Sequence, residues 1–175
     1  TEQDNDGFAF FADSKETVFK EMLNNIRESK NLKDETVTIF GEWCGGNIQK
    51  GVAINGLPKM FVIFAVKIIS DTEEANYYLN KEEWQHCKSP ENNIYNMNDY
   101  SSFDIYIDFN SAHKAVEQLI DITEQVEKEC PVGKAFGISG IGEGIVWVGY
   151  YRNSRYVFKV KGEKHSSSKV KKFAH

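Results

Sequence analysis

The spacing of apolar and polar positions changes its period several times along the chain, and each change marks an element. Val18, Phe19, Met22, Leu23 and Ile26 recur at helical spacing, with Glu and Lys on the other face. They predict an amphipathic helix capped by Ser14 and closed by Asn31–Asp34, a packing element with no chemistry of its own. Ahead of it, Asp4-Asn5-Asp6-Gly7 and Phe8-Ala9-Phe10-Phe11 read as a loop entering buried structure. Two runs rich in β-branched and aromatic residues follow, Thr36–Phe40 and Phe61–Ile68, separated by a glycine turn and the break Gly56-Leu57-Pro58. Ser70–Ser102 is polar and irregular, with one short helix expected over Lys81–His86. Phe103, Ile105, Ile107 and Phe109 alternate as one face of a further strand, Phe103–Phe109. A second helix then starts at Asn110 or Ser111, with Ala112, Val116, Leu119, Ile120, Thr123 and Val126 as its buried stripe, and stops at Pro131 and Gly133. A glycine-loosened segment, Phe136–Gly144, enters another strand, and Arg155–Val160 alternates as the last. Helices and antiparallel-looking strands in this mixture predict an α+β fold.

With 175 residues the chain is long enough for one domain with a substantial core. Its apolar runs are strand-length, far short of the roughly 20 residues of a membrane span, and no charged-then-apolar segment opens it. The three cysteines, Cys44, Cys87 and Cys130, are widely spaced and form neither a CxxC pair nor a disulfide framework. A reducing, intracellular (cytoplasmic) compartment is expected. His86 and Cys87 have no further ligand at metal spacing, which argues against zinc. The net charge is −5 but unevenly spread: Lys159 to Lys172 holds six lysines against Glu163, near +5, leaving about −10 elsewhere. An acidic body with a basic end, residues 162–175 forming a tail or linker, suits local contact with a polyanion.

The candidate chemistry lies where carboxylates meet glycines. Glu42 sits in Phe40-Gly41-Glu42-Trp43-Cys44-Gly45-Gly46-Asn47-Ile48-Gln49-Lys50-Gly51, at the lip of the glycine turn. Adjacent glycines there suggest close approach of a ligand to the backbone, or a hairpin turn with a solvated acid. Glu143 opens the strand after Gly137, Gly140 and Gly142. That spacing matches neither GxGxxG nor a Walker loop. Lys159 and Lys161 lie two apart on one strand and share a face, so they can neutralise a phosphate together. A carboxylate can hold Mg²⁺, and Phe64 can offer a flat face to a base. Taken alone, core packing accounts equally for Phe64, strand ends for the acids, and edge protection for the lysines.

Phe40-Gly41-Glu42, Phe61-Val62-Ile63-Phe64, Glu143-Gly144-Ile145-Val146 and Val157-Phe158-Lys159-Val160-Lys161 resemble nucleotidyltransferase motifs III, IIIa, IV and V, in order. The wording from Gly41 to Gly51 is similar to the RNA ligase 2-like branch of ATP-dependent polynucleotide ligases. DNA ligases and mRNA capping enzymes are more distant relatives. The resemblance spans Asn5 to about Lys172. It implies a nucleotidyltransferase (adenylation) domain of antiparallel sheets with flanking helices. It also implies RNA end-joining through lysyl-AMP and RNA-adenylate, with ATP and Mg²⁺ or Mn²⁺ as cofactors and RNA ends as partners. On it, Glu42 contacts the nucleoside sugar, Phe64 stacks on adenine and Glu143 places the metal. Lys159 and Lys161 act on the α-phosphate, and Lys164, Lys169, Lys171 and Lys172 contact RNA.

Two departures stand out. Ala65 follows the stacking aromatic where the family often has an acid. No Lys-x-Asp/His-Gly nucleophile motif occurs. The chain therefore reads as N-terminally truncated and inactive alone, beginning partway through a larger protein. A non-catalytic nucleotide- or RNA-binding module, or a capping-type guanylyltransferase, is the alternative.

Overall fold

In a computed structural model, residues 4–72, 75–151 and 154–163 are described. They form two compact units, Thr1–Gln49 with Asn55–Tyr100, and Lys50–Ile54 with Ser101–His175. The fold is α+β, as expected.

The first unit opens with α1 (Phe8–Ser14) and α2 (Glu16–Ser29). Phe8–Phe11 is thus helical where a loop was expected. Phe8 and Phe11, one turn apart, pack against the core, while Phe10 faces solvent. Ser14 ends α1 and caps nothing: its hydroxyl donates back to the Phe11 carbonyl at 2.7 Å. Helix α2 buries Met22 and Ile26 and stops where Asn31 turns left-handed at φ 52°.

Strands β1 (Thr36–Cys44) and β2 (Met60–Ile69) pair antiparallel. β3 (Tyr77–Tyr78) joins β2 antiparallel, and β4 (Ile94–Asn96) joins it in parallel, completing a four-stranded sheet. Between them α3 (Lys81–Trp84) begins at a capping box: the Asn80 N–H donates to Glu83 Oε2 at 2.7 Å. Glu83 also takes an ion pair from Lys30, the residue that follows α2.

One irregularity governs the sheet. Phe40 pairs with Ala65 and Gly41 with Ile63, so Phe64 is an extra residue, a β-bulge on β2. The bulge shifts the phase of burial. Phe61 and Ile63 face the core before it, Val66 and Ile68 after it, and β1 keeps strict alternation with Val37, Ile39 and Trp43. Leu79, Trp84, Cys87 and Ile94 complete this core. Gly41 falls on the same face in the β1 alternation, under the Phe61 ring: a Cβ there would lie 2.4 Å from Phe61 Cζ.

The second unit holds α4 (Ala112–Lys128), α5 (Pro131–Ala135) and the antiparallel pair β5 (Gly144–Tyr151) and β6 (Ser154–Lys161). The strand expected over Phe103–Phe109 is absent. Its alternation is real, since residues 103, 105 and 107 are half-buried and 104, 106 and 108 exposed. Residues 103–108 nevertheless join neither of the two sheets formed by the described residues. The Asp108 carboxylate accepts the Asn110 N–H at 2.9 Å, starting a 3₁₀ turn that leads into α4. Helix α4 is rotated from the expected stripe. Ala115, Thr123 and Val126 are buried, whereas Val116 and Ile120 are about half exposed. Pro131 starts α5 at the first-turn position proline tolerates; it does not simply end α4.

Candidate nucleotide site

In the first unit, Glu42 stands inside β1 opposite Val62, two residues before the strand's last residue, so it is not at the lip of the turn. By alternation it lies on the sheet face away from the core, with Phe40. Phe64, on the bulge next to it in the ladder, is 44% exposed although the three residues before it and the two after are buried. The bulge thus turns an aromatic outward from a strand whose neighbours are all core. That answers the core-packing reading of Phe64. Phe40 contacts Tyr78 with ring centroids 6.2 Å apart, and Lys67 Nζ lies 5.6 Å above the Tyr78 ring, so aromatic surface continues along this face.

The loop after β1 is built from residues with left-handed backbone: Gly45 at φ 81°, Gly46 at 54° and Asn47 at 71°. A Cβ on Gly45 would lie 2.4 Å from the Pro58 carbonyl oxygen. The space beside this glycine is filled by the chain itself, which is the turn reading and not the ligand-approach one. Gly46 N–H donates to the Leu57 carbonyl at 2.7 Å, and Ile48 N–H to the Gly45 carbonyl at 3.0 Å. The resulting tight loop brings Gln49 back over the end of β1. Its Oε1 accepts the Gly45 N–H at 3.2 Å, while its Nε2 lies 3.5 Å from both Glu42 Oε1 and the Trp43 carbonyl. Sequence reading gave Gln49 no role. A glutamine in a glycine loop has no periodic signal, and only the fold of that loop reveals its partner.

In the second unit, Glu143 precedes β5. Its carbonyl accepts the Gly162 N–H at 3.1 Å, so it is pinned beside the end of β6. Lys161 Nζ lies 2.6 Å and Lys159 Nζ 3.6 Å from Glu143 Oε1. The three residues singled out from sequence in this unit therefore form one cluster, with side chains a third to a half exposed. The hydrogen bond from Lys161, reinforced by the charge of Lys159, holds the Glu143 carboxyl below its ordinary range against a partial opposing effect of burial. Lys159 pairs with Val146, and Val157 with Val148, so the lysine face continues into three exposed valines. Trp147 takes the other face, buried, with its ring stacked on Phe158 at 6.5 Å. Two ammonium groups beside an apolar strip suit an anion with an apolar body.

Among the described residues there is no group of three or more His, Cys, Asp or Glu that could hold a metal. Cys44, Cys87 and Cys130 are buried and not joined in disulfides, and burial pushes the Cys87 thiol up to about 11, which makes it inert. No helix is long and apolar enough to cross a membrane among the residues described.

The sequence profile of the RNA ligase family matches residues 1–161, most of the chain and every motif quoted above. The chain belongs to the RNA ligase family. No curated protein and no solved structure matches it. Within this RNA ligase chain, Glu42 and Phe64 fall in one unit and Glu143, Lys159 and Lys161 in the other. The expected RNA-contacting residues Lys164, Lys169, Lys171 and Lys172 lie outside the described residues.

Proposed function

We propose that this RNA ligase chain carries the ATP-binding and phosphoryl-handling part of an ATP-dependent RNA ligase of the RNA ligase 2-like branch, acting in RNA repair. The observation that carries the reading is the convergence of Lys159 and Lys161 on Glu143, from adjacent strand ends, in a family whose chemistry passes an α-phosphate between acceptors. In the first step a lysine Nζ bonds to the α-phosphorus of ATP and the bond to pyrophosphate breaks. AMP next passes to the RNA 5′-phosphate, and the 3′-hydroxyl of the other end finally displaces it.

Lys159 and Lys161 are suited to hold α-phosphate oxygens and to stabilise the charge that grows on them. Glu42 would hold the nucleoside sugar, and Phe64 would stack on adenine. A single carboxylate fits Mg²⁺ or Mn²⁺ whose remaining ligands are phosphate oxygens and water, the usual habit of such ions. Glu143 would supply that carboxylate, and the ion would neutralise phosphate charge. Lys164, Lys169, Lys171 and Lys172 would contact RNA phosphates. On this reading the nucleophilic lysine, whose Lys-x-Asp/His-Gly setting does not occur in these 175 residues, would lie on a segment outside them. The same reading favours, for the chain by itself, non-covalent nucleotide or RNA binding.

The test is incubation with α-³²P-ATP and Mg²⁺ followed by denaturing electrophoresis, on this chain and on a longer form that includes a Lys-x-Asp/His-Gly segment. Label retained only by the longer form is the expected result, lost in its Glu143→Ala and Lys159→Ala variants. Label retained at wild-type levels in both variants would refute the site. Equal labelling with GTP would favour guanylyl transfer.

A further inference from the structure

Three contacts converge on one side chain that the adenylation reading leaves without a role. The Gly45 backbone N–H can only donate, so the Gln49 atom 3.2 Å from it is the carbonyl oxygen. This fixes the amide orientation: Nε2 must face the other way, toward Glu42 Oε1 and the Trp43 carbonyl, both acceptors at 3.5 Å. Gln49 itself cannot drift, because the turn that carries it is tied by Ile48 to Gly45, Gly46 to Leu57 and Asn47 to Asn55. Glu42, by contrast, is an exposed carboxylate on an open strand face. Left to itself, it would sample several rotamers and bind a hydroxyl poorly.

We propose that Gln49 is a positioning residue that holds Glu42 in the orientation needed to accept hydrogen bonds from the hydroxyls of a ribonucleoside, and so sets the preference for ribo- over dideoxynucleotides. The proposal rests on the assignment of Glu42 to the nucleoside sugar. It differs from a role in loop stability, because the loop needs only the Gly45 contact while Glu42 needs the Nε2 donor. Gln49→Glu separates the two. It keeps an acceptor for the Gly45 N–H, removes the donor, and sets a second carboxylate against Glu42. At low pH a shared proton between the two carboxyls restores a donor.

The experiment is calorimetric titration of the chain with ATP and with 2′,3′-dideoxy-ATP, in Mg²⁺, at pH 8 and pH 5.5. The wild type should bind ATP about tenfold more tightly than the dideoxy nucleotide, the range of one or two charge-assisted hydrogen bonds. Gln49→Ala should reduce that ratio to about two- or threefold with little change in dideoxy affinity. Gln49→Glu should bring it near unity at pH 8 and recover it in part at pH 5.5. If Gln49→Ala weakens both nucleotides equally, or Gln49→Glu behaves as wild type at pH 8, Gln49 only staples the loop and the proposal fails while the Glu42 assignment stands. If Glu42→Ala keeps the wild-type ratio, the sugar assignment is wrong. Undetectable ATP binding by the wild-type chain would overturn the nucleotide reading itself.

Discussion

Replacing Gly41 by alanine sets two opposing effects against each other, and the structure says which prevails. Gly41 does not need a left-handed backbone, so alanine fits the strand conformation and reduces the freedom of the unfolded chain. That effect is worth roughly 0.4–1 kcal/mol in favour of folding. Against it, the added Cβ would lie 2.4, 2.6 and 2.7 Å from Phe61 Cζ, Cε2 and Cε1. Restoring an ordinary carbon contact near 3.6 Å means moving the ring by roughly 1.2 Å. The ring cannot retreat freely, because Phe8 and Phe19 hold it at centroid distances of 5.3 and 5.7 Å and Phe61 is only 6% exposed. Overpacking of this kind costs about 1–3 kcal/mol, so Gly41→Ala should destabilise by about 1–2 kcal/mol net. Urea unfolding followed by tryptophan fluorescence should show a midpoint lower by roughly 0.5–1 M with an unchanged slope. In a Phe61→Leu background the same substitution should be neutral or slightly stabilising, which yields a coupling energy of similar size. A Gly41→Ala protein as stable as wild type, or an equal penalty in both backgrounds, would refute the argument that the glycine exists for the ring.

Two further outcomes follow from the site residues. Phe64→Ala should change stability by less than about 1 kcal/mol, since the side chain is turned outward, yet weaken ATP binding by roughly tenfold if the ring stacks on the base; a large stability loss with normal binding would return it to the core. For Glu143 the carboxyl is depressed in the folded state, so the stabilisation from its lysine partners is present above its ordinary value of 4.5 and lost as pH falls through the folded value. A ¹³C titration should place its midpoint below 4.5 and shift it upward in Lys161→Ala, and a midpoint at or above 4.5 in the wild type would contradict the cluster.

The sequence made some of this legible because the physical signal was local. Helix α2 announced itself through period, strands β1 and β2 through their runs of β-branched and aromatic residues, and the lysine pair through its spacing of two. The two lysines share a face because a strand places alternate side chains together wherever it lies, whereas Glu143 meets them through the pairing of β5 with β6, which no local signal announces. The misreadings arose where tertiary context decides. Phe8-Ala9-Phe10-Phe11 carries too few residues to reveal a period, and it becomes helical because two of its rings find the core. Residues 103–109 alternate like a strand, but alternation cannot supply a neighbour to pair with. On α4 apolar residues cover more than one face, so sequence alone could not choose Ala115 over Val116. The bulge at Phe64 has no local marker: Phe-Val-Ile-Phe-Ala-Val reads as one uninterrupted apolar run. Only the pairing partners show that its burial changes phase.

That phase change makes β2 behave like a message with a reading frame. Substituting one apolar residue for another alters a single word. Deleting Phe64 would let β1 and β2 pair without interruption and keep Phe61, Ile63, Val66 and Ile68 in frame with the core, losing only the outward ring. Deleting Val62 or Lys67 instead would turn Phe61 or Ile68 outward. The segment on each side of Phe64 can therefore vary in composition but not in length. Among related chains, insertions and deletions should gather in the loop between β1 and β2 and, apart from position 64, spare the run from Met60 to Ile69.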